Sequence, residues 1–398
     1  MSLNGAVSSE RVRIGFFGMC NVGKSSLVNA VTGQDIAVVS DTRGTTTDPV
    51  RKAMELLPIG PVEIIDTPGI DDDGKLGELR IQKARDILAA TDIAVLVKDS
   101  TRAATEIESK LISLFEEKKL PYVIAQNKSD VLDAIPQAND NEIYVSALTG
   151  SGVDGLKDKI GSFAKAVAND KKLVSDLVEP GDVCVLVIPI DESAPKGRII
   201  LPQQMTIRDL LDRGCTVVAA RDTELAQTLS SLAKKPKLVI TDSQAFGKVS
   251  KIVPEDIMLT SFSILMARYK GELSTLVNGA NALKALKDGD RVLISEGCTH
   301  HRQCNDIGTV KMPGWIKSFT GKSIEFDFTS GGEFPKDLSP WALVVHCGGC
   351  MLNEKEMKNR IEAANIQGTP MVNYGVAIAL VHGILDRSLE PFADILNA

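Results

Sequence analysis

The sequence predicts an α/β protein: a P-loop domain built on a doubly wound, mostly parallel sheet, followed by two smaller α/β domains. Three observations carry this prediction. Short apolar runs of strand length alternate with helical segments, the pattern of parallel sheets. An early strand runs into a glycine-rich loop that opens a helix. A polar stretch at 169–172 leads to Glu179-Pro180-Gly181, a domain boundary, and a third region starts near Phe262. The expected domains are residues 1–168, 178–260 and 262–398, and a chain of 398 residues is too long for one core.

In the first domain the runs 11–17, 62–66, 93–98, 122–127 and 143–146 read as strands, with helical segments such as 24–32 and 109–118 between them. In the second, 183–190 reads as a buried strand, 206–212 as a helix with Thr206 near its start, and 216–220 and 237–240 as two more strands. This three-stranded unit has open edges and no cluster of catalytic groups. A second copy of the chain is its expected partner, in a homodimer or higher assembly. In the third, 262–271 and 354–364 read as helices, and 291–295 and 341–345 as strands.

Composition narrows the class. Hydrophobic content of 43% and charged content of 24% are those of an ordinary soluble globular protein. The net charge of −7 argues against non-specific nucleic-acid binding, which needs excess Lys and Arg. No segment is long and uncharged enough to span a bilayer, and residues 1–10 do not read as a signal peptide. Seven cysteines, an odd number, suit a reducing, cytoplasmic setting with metal or catalytic roles for some thiols. Cys20, Cys184 and Cys215 stand singly beside apolar runs and read as small buried hydrophobes.

Gly18-Met19-Cys20-Asn21-Val22-Gly23-Lys24-Ser25, with Ser26 next, follows a strand and opens a helix, as a phosphate-binding loop requires. Lys24 is expected to reach the β- and γ-phosphates and Ser25 to ligate Mg²⁺. Gly44-Thr45-Thr46-Thr47-Asp48 resembles the first switch of translation-factor-type GTPases, with Thr46, then Thr45, as the hydroxyl on Mg²⁺. Asp66-Thr67-Pro68-Gly69 matches the second switch: Asp66 holds Mg²⁺ through water, and the Gly69 amide meets the γ-phosphate. Asn127-Lys128-Ser129-Asp130 matches the guanine-reading motif, since the Asp130 carboxylate accepts from donors that adenine lacks. Ser146-Ala147-Leu148 matches the final motif, with the Ala147 amide facing the guanine oxygen. The five motifs in order point to GTP. Ile70 stands where a water-orienting glutamine often sits, so slow hydrolysis is expected. Asn21 resembles the potassium-binding asparagine of K⁺-activated GTPases, where K⁺ supplies charge beside the phosphates.

Near the other end, Cys298-Thr299-His300 and His346-Cys347-Gly348-Gly349-Cys350 are separated by 45 residues. Three thiols and two imidazoles suit zinc or an iron–sulfur cluster, and spacing alone does not choose. Each knot follows a strand, where α/β sheets form binding crevices. Cys304 is a further thiol nearby.

A GTPase of the tRNA-modification type joined to Cys-x-His and His-Cys-x-x-Cys resembles the HydF family of FeFe-hydrogenase maturation GTPases. The resemblance implies a 4Fe–4S cluster on Cys298, Cys347 and Cys350, with His300 or His346 as a possible fourth ligand. It also implies a scaffold and carrier. Such a protein receives a transient diiron subcluster made by the radical-SAM maturases HydE and HydG and delivers it to apo FeFe-hydrogenase. The alternative is a ribosome- or tRNA-associated GTPase with a structural zinc domain.

Overall fold

A computed structural model describes residues 11–34, 50–57, 59–69, 85, 87–168, 172–190, 199–297 and 306–396. The chain divides into two compact units, Met1–Asp170 and Lys171–Ala398.

The first unit is built on strands β1 (Val12–Gly18), β2 (Val50–Leu56), β3 (Gly60–Asp66), β4 (Ile93–Asp99), β5 (Tyr122–Asn127) and β6 (Glu142–Tyr144). They lie side by side in the order β2-β3-β1-β4-β5-β6. All pairs are parallel except β2 with β3. Strands β1 and β4 are apolar on both faces and separate two cores, one containing Phe16, Val95 and Val123, the other Phe17, Leu96 and Phe115. Helices α1 (Lys24–Thr32), α2 (Glu106–Glu117) and α3 (Val153–Ala168) complete the described layers. The doubly wound sheet expected from the sequence is present. The antiparallel β2 was not anticipated; it carries Arg51, Lys52 and Glu55 on a largely exposed edge, so it lacks a buried strand's apolar run.

The second unit holds two four-stranded parallel sheets. The first contains β7 (Val183–Val187), α4 (Leu201–Asp212), β8 (Thr216–Ala220), α5 (Leu225–Ser231), β9 (Leu238–Thr241), α6 (Phe246–Val249), β10 (Met258–Ser261) and α7 (Phe262–Lys270). The second follows α8 (Leu273–Ala285) and contains β11 (Arg291–Glu296), α9 (Met312–Thr320), β12 (Glu325–Ser330), β13 (Leu343–His346), α10 (Glu354–Ile366), β14 (Met371–Asn373), α11 (Tyr374–Val381) and α12 (Leu385–Leu389). The three-strand reading of the first sheet gains a fourth, β10, which is too short to stand out beside the helix it feeds. Helix α4 starts at Leu201 rather than near Thr206, with Pro202 in its first turn and Gln203 Oε1 accepting from the Ile200 N–H at 3.0 Å.

The two sheets share one topology. Their orders are β10-β9-β7-β8 and β12-β11-β13-β14. In each, the second strand flanks the first on one side, and the third and fourth strands lie on the other. In each, the fourth strand ends in a residue that caps the next helix. Ser261 Oγ accepts from the Ile264 N–H at 3.2 Å, and Asn373 Oδ1 from the Val376 N–H at 2.9 Å. Helices α7 and α11 pack together, and Asn373 Nδ2 donates to the Ser263 carbonyl at 2.8 Å. The following helices exchange sheets: α8 packs on β14, and α12 packs on β10. Gly279 permits the first of these, because a Cβ there would lie 1.9 Å from the Met371 carbonyl oxygen. One continuous core runs from Val185 and Ile240 through Leu265 and Leu276 to Ile294 and Val344.

Candidate functional site

The phosphate loop sits between β1 and α1. Asn21 (φ 61°) and Gly23 (φ 81°) both take the left-handed conformation that bends the chain back toward the helix. A Cβ on Gly23 would lie 2.4 Å from Asn127 Nδ2, so glycine is needed there for space as well. Asn127 ties the site together: its Nδ2 donates to the Val22 carbonyl at 2.9 Å, and its Oδ1 accepts from the Ala147 N–H at 2.9 Å. Ser146 is buried and accepts from the Thr149 N–H at 3.1 Å, which closes the last turn. Leu148 and Asp130 are exposed. Lys128, at φ 64°, bonds Asp99 at 2.5 Å, a partner that no motif signalled.

Asp66 ends β3 beside α1. Its Oδ2 accepts from Ser25 Oγ at 2.8 Å, and Lys24 Nζ lies 3.9 Å from its Oδ1. That Oδ1 is buried and makes no hydrogen bond. Burial raises the Asp66 pKa, with Lys24 and then the Ser25 hydroxyl pulling it back down. Burial likewise lowers the Lys24 pKa, and Asp66 and then Cys20 oppose it. A buried carboxylate oxygen lacking a donor, beside a hydroxyl and an ammonium, fits a hydrated divalent cation. Gly69 lies against the loop, because a Cβ there would fall 2.6 Å from Cys20 Sγ. Cys20 is therefore a half-buried loop residue, not the core residue expected; Cys184 and Cys215 are buried free thiols of the core, as expected, and Cys215 Sγ donates to the Glu179 carbonyl at 3.3 Å. Gly18 and Val22 are buried, while Ser26 is half-buried. Thr45, Thr46 and Ile70 lie outside the described residues.

The thiol knot follows β13. Parallel pairing aligns Ser295 with His346, and the Cys347 N–H donates to the Ser295 carbonyl at 2.9 Å. This sets Cys347 beside Gly297, the last described residue after β11. Cys347 Sγ accepts from the Gly297 N–H at 3.1 Å and the Gly349 N–H at 3.4 Å. Burial pushes the Cys347 thiol up to about 11, while those two N–H groups pull the other way. Burial also raises the Cys350 pKa, opposed first by the charge of Lys270. Amide donors aimed at sulfur, and a cation beside the second thiol, suit thiolates bound to a metal or cluster. Among the described residues no three His, Cys, Asp or Glu side chains form a ligand group. Cys298, His300 and Cys304 lie outside them.

His346, expected as a possible fourth ligand, is buried beside the turn. Its Nδ1 lies 2.7 Å from the Cys347 carbonyl oxygen, and its Nε2 lies 3.1 Å from an Arg360 nitrogen. Arg360 can only donate, so Nε2 accepts and Nδ1 carries the proton. Both ring nitrogens have protein partners in this structure. Burial, then the Arg360 charge, lowers its pKa to about 3, with the Cys347 carbonyl opposing. Arg360 also stacks over Phe334, 5.0 Å from its ring centre, and donates to the Gly331 carbonyl at 2.9 Å. Sequence reasoning missed Arg360 and Lys270, since neither carries a motif.

No described helix is long and apolar enough to cross a membrane. Residues 13–128 match a family profile described as 50S ribosome-binding GTPase. The chain is 34% identical over 160 residues to a tRNA modification GTPase MnmE of Thiobacillus denitrificans, covering 39% of this chain and 34% of that protein. It is 40% identical over 126 residues to a GTPase Der of Campylobacter concisus, covering 31% and 27%. The chain thus spans about a third of the length of the curated relatives it matches. Among solved structures, a point variant of Aquifex aeolicus Era bound to GDP.AlF4- aligns over 60% of this chain and 97% of that one, at 17% identity and a TM-score of 0.35. Residues 173–271 match the hydrogen maturase F dimerization domain, and residues 274–391 the hydrogen maturase F tetramerization domain. With a GTPase domain and both maturase-specific domains in sequence, the chain belongs to the hydrogen maturase F family.

Proposed function

We propose that the protein is a GTP-hydrolysing iron–sulfur scaffold of FeFe-hydrogenase maturation. It accepts a diiron subcluster precursor from radical-SAM maturases and delivers it to apo-hydrogenase. The observation that carries this reading is the two-amide cradle around Cys347 Sγ at the mouth of a parallel sheet, in a chain of this family. The family resemblance implies Cys298, Cys347 and Cys350 as the ligand set for a 4Fe–4S cluster; the Gly297 N–H on Cys347 Sγ, one residue before Cys298 in sequence, supports that reading. The remaining iron position falls to His300, His346, a nearby carboxylate such as Glu296, or an exchangeable group.

In the nucleotide unit, Lys24 and the loop amides hold the phosphates, and Ser25, Thr46 and Asp66 hold Mg²⁺. The Gly69 amide senses the γ-phosphate, Asp130 selects guanine, and Asn21 holds K⁺. The half-exposed edge strand β8 supports self-association through residues 180–260.

Anaerobic reconstitution with iron and sulfide tests the reading. Wild type should take up about four irons per chain, as a cubane requires. Serine variants of Cys298, Cys347 or Cys350 should lose cluster and hydrogenase maturation together while GTP hydrolysis persists. Stoichiometric zinc with no iron, or normal maturation by a single cysteine variant, would sink it. Self-association is judged by the mass of the whole chain in solution, where a monomer at tens of micromolar counts against it.

A further inference from the structure

Lys270 is the last residue of α7, the helix that follows the first sheet, yet its side chain enters the cysteine turn beyond the second sheet. The residue is 2% exposed. Its ammonium donates to three carbonyls: Gly349 at 3.2 Å, Cys350 at 3.0 Å and Leu352 at 2.7 Å. An ammonium has three N–H donors and no acceptor, so these bonds suit its charged form. A lysine is almost never fully buried unless its charge is met in this way.

The contacts have two physical effects. They fix the peptide planes that carry the 349, 350 and 352 carbonyls, and the first two of these flank Cys350 and set the direction of its side chain. They also hold a positive charge beside the Cys350 thiol. A cluster gains one electron on reduction, and a fixed cation nearby favours the added negative charge.

We propose that Lys270 is the positioning residue of the thiolate site, pinning the Cys347–Cys350 turn and raising the reduction potential of the cluster held there. The proposal rests on the reading of this site as an iron–sulfur site. Lys270 falls within the dimerization match, residues 173–271, while the cysteines it serves fall within 274–391. One side chain therefore links the two halves of the second unit at the ligand turn.

The test uses the full chain, reconstituted anaerobically with ferrous iron and sulfide, with K270M, K270Q and K270R compared with wild type. The readouts are iron per chain, the paramagnetic resonance of the reduced cluster, its midpoint potential by redox titration, and thermal melting. K270M, which lacks both charge and donors, should lose iron faster to a chelator and shift the potential to more negative values. K270Q, which keeps a donor without the charge, should keep more iron and show the same negative shift. K270R should stay near wild type in potential. If K270M fails to fold, K270Q decides by its potential. Wild-type potential and resonance in a folded K270Q or K270M would overturn the proposal. If wild type binds zinc and no iron, the iron–sulfur reading fails, and Lys270 is judged by zinc loss to the chelator. Faster loss from K270M upholds the anchoring role, and equal loss overturns it.

Discussion

Asn127 Nδ2 donates to the Val22 carbonyl at 2.9 Å, bridging 105 positions of sequence, and so fixes the phosphate loop to the strand that carries the guanine-reading motif. The same amide accepts from the Ala147 N–H. One buried side chain thus holds three loops of the nucleotide site. Asn127→Ala leaves the Val22 carbonyl and the Ala147 N–H without their partner, at about 1–3 kcal/mol for each buried unpaired group. GTP affinity should fall by roughly tenfold or more. Titration with a fluorescent GTP analogue checks this, and a dissociation constant within about twofold of wild type, under 0.5 kcal/mol, would contradict it.

The nucleotide unit was the more legible half of the chain. Its parallel strands are mostly apolar and buried, and its loops carry fixed residue types because phosphate and guanine impose them. Asp99 escaped notice because its tie to Lys128 exists only once β4 and β5 lie side by side. The second unit was harder to read. Strand β14 has three residues, too few for any periodicity, and β12 places Glu325, Asp327 and Thr329 among its apolar residues on an outer edge. Cys347 and Cys350 were visible as ligands by residue type. What prepares them was not, because the cradle is made of backbone amides and of Lys270, which lies 79 to 82 positions before the carbonyls it bonds.

GTP hydrolysis should be slow and faster in K⁺ than in Na⁺. The motivation is Asn21, exposed in a left-handed turn of the phosphate loop, together with Ile70 in place of glutamine. Matched buffers differing only in the monovalent cation give the test. Equal rates in the two would rule out the cation role, and a K⁺ effect that survives Asn21→Ala would move it to another residue.

Stability of the second unit should weaken as the pH falls through the carboxylate range. Burial raises the Asp176 pKa, but the Arg268 guanidinium more than offsets this, so the folded value lies below the ordinary one. Arg268 bonds both oxygens of Asp176, one of them at 2.9 Å, and stacks over Phe392. A depressed carboxylate adds stability above its unfolded pKa, and that stability is lost as pH drops through the folded value. The pair is partly solvated, so its share is about 0.5–1 kcal/mol. Melting of wild type and Asp176→Asn should differ at pH 7 and converge toward pH 3. A constant difference across that range would refute the ion-pair account.

Gly349→Ala should loosen the thiolate site without unfolding the second unit. Gly349 has φ 62°, a left-handed conformation that costs a residue with a Cβ about 1–2 kcal/mol. The added methyl would also meet Met357 Sδ at 3.2 Å, and this neighbour can shift because methionine is flexible. The easiest relief is rotation of the 348–350 backbone. That rotation turns the Gly349 N–H away from Cys347 Sγ and the Gly349 carbonyl away from Lys270. The thiolate then loses one of its two amide donors while all the cysteines remain. The expected result is a folded protein with normal GTP turnover that reconstitutes with fewer irons and releases them faster to a chelator. Gly348→Ala is the control, because its Cβ would lie no closer than 3.9 Å to any neighbour. If both alanine variants hold iron equally well, the left-handed turn is not what shapes the site.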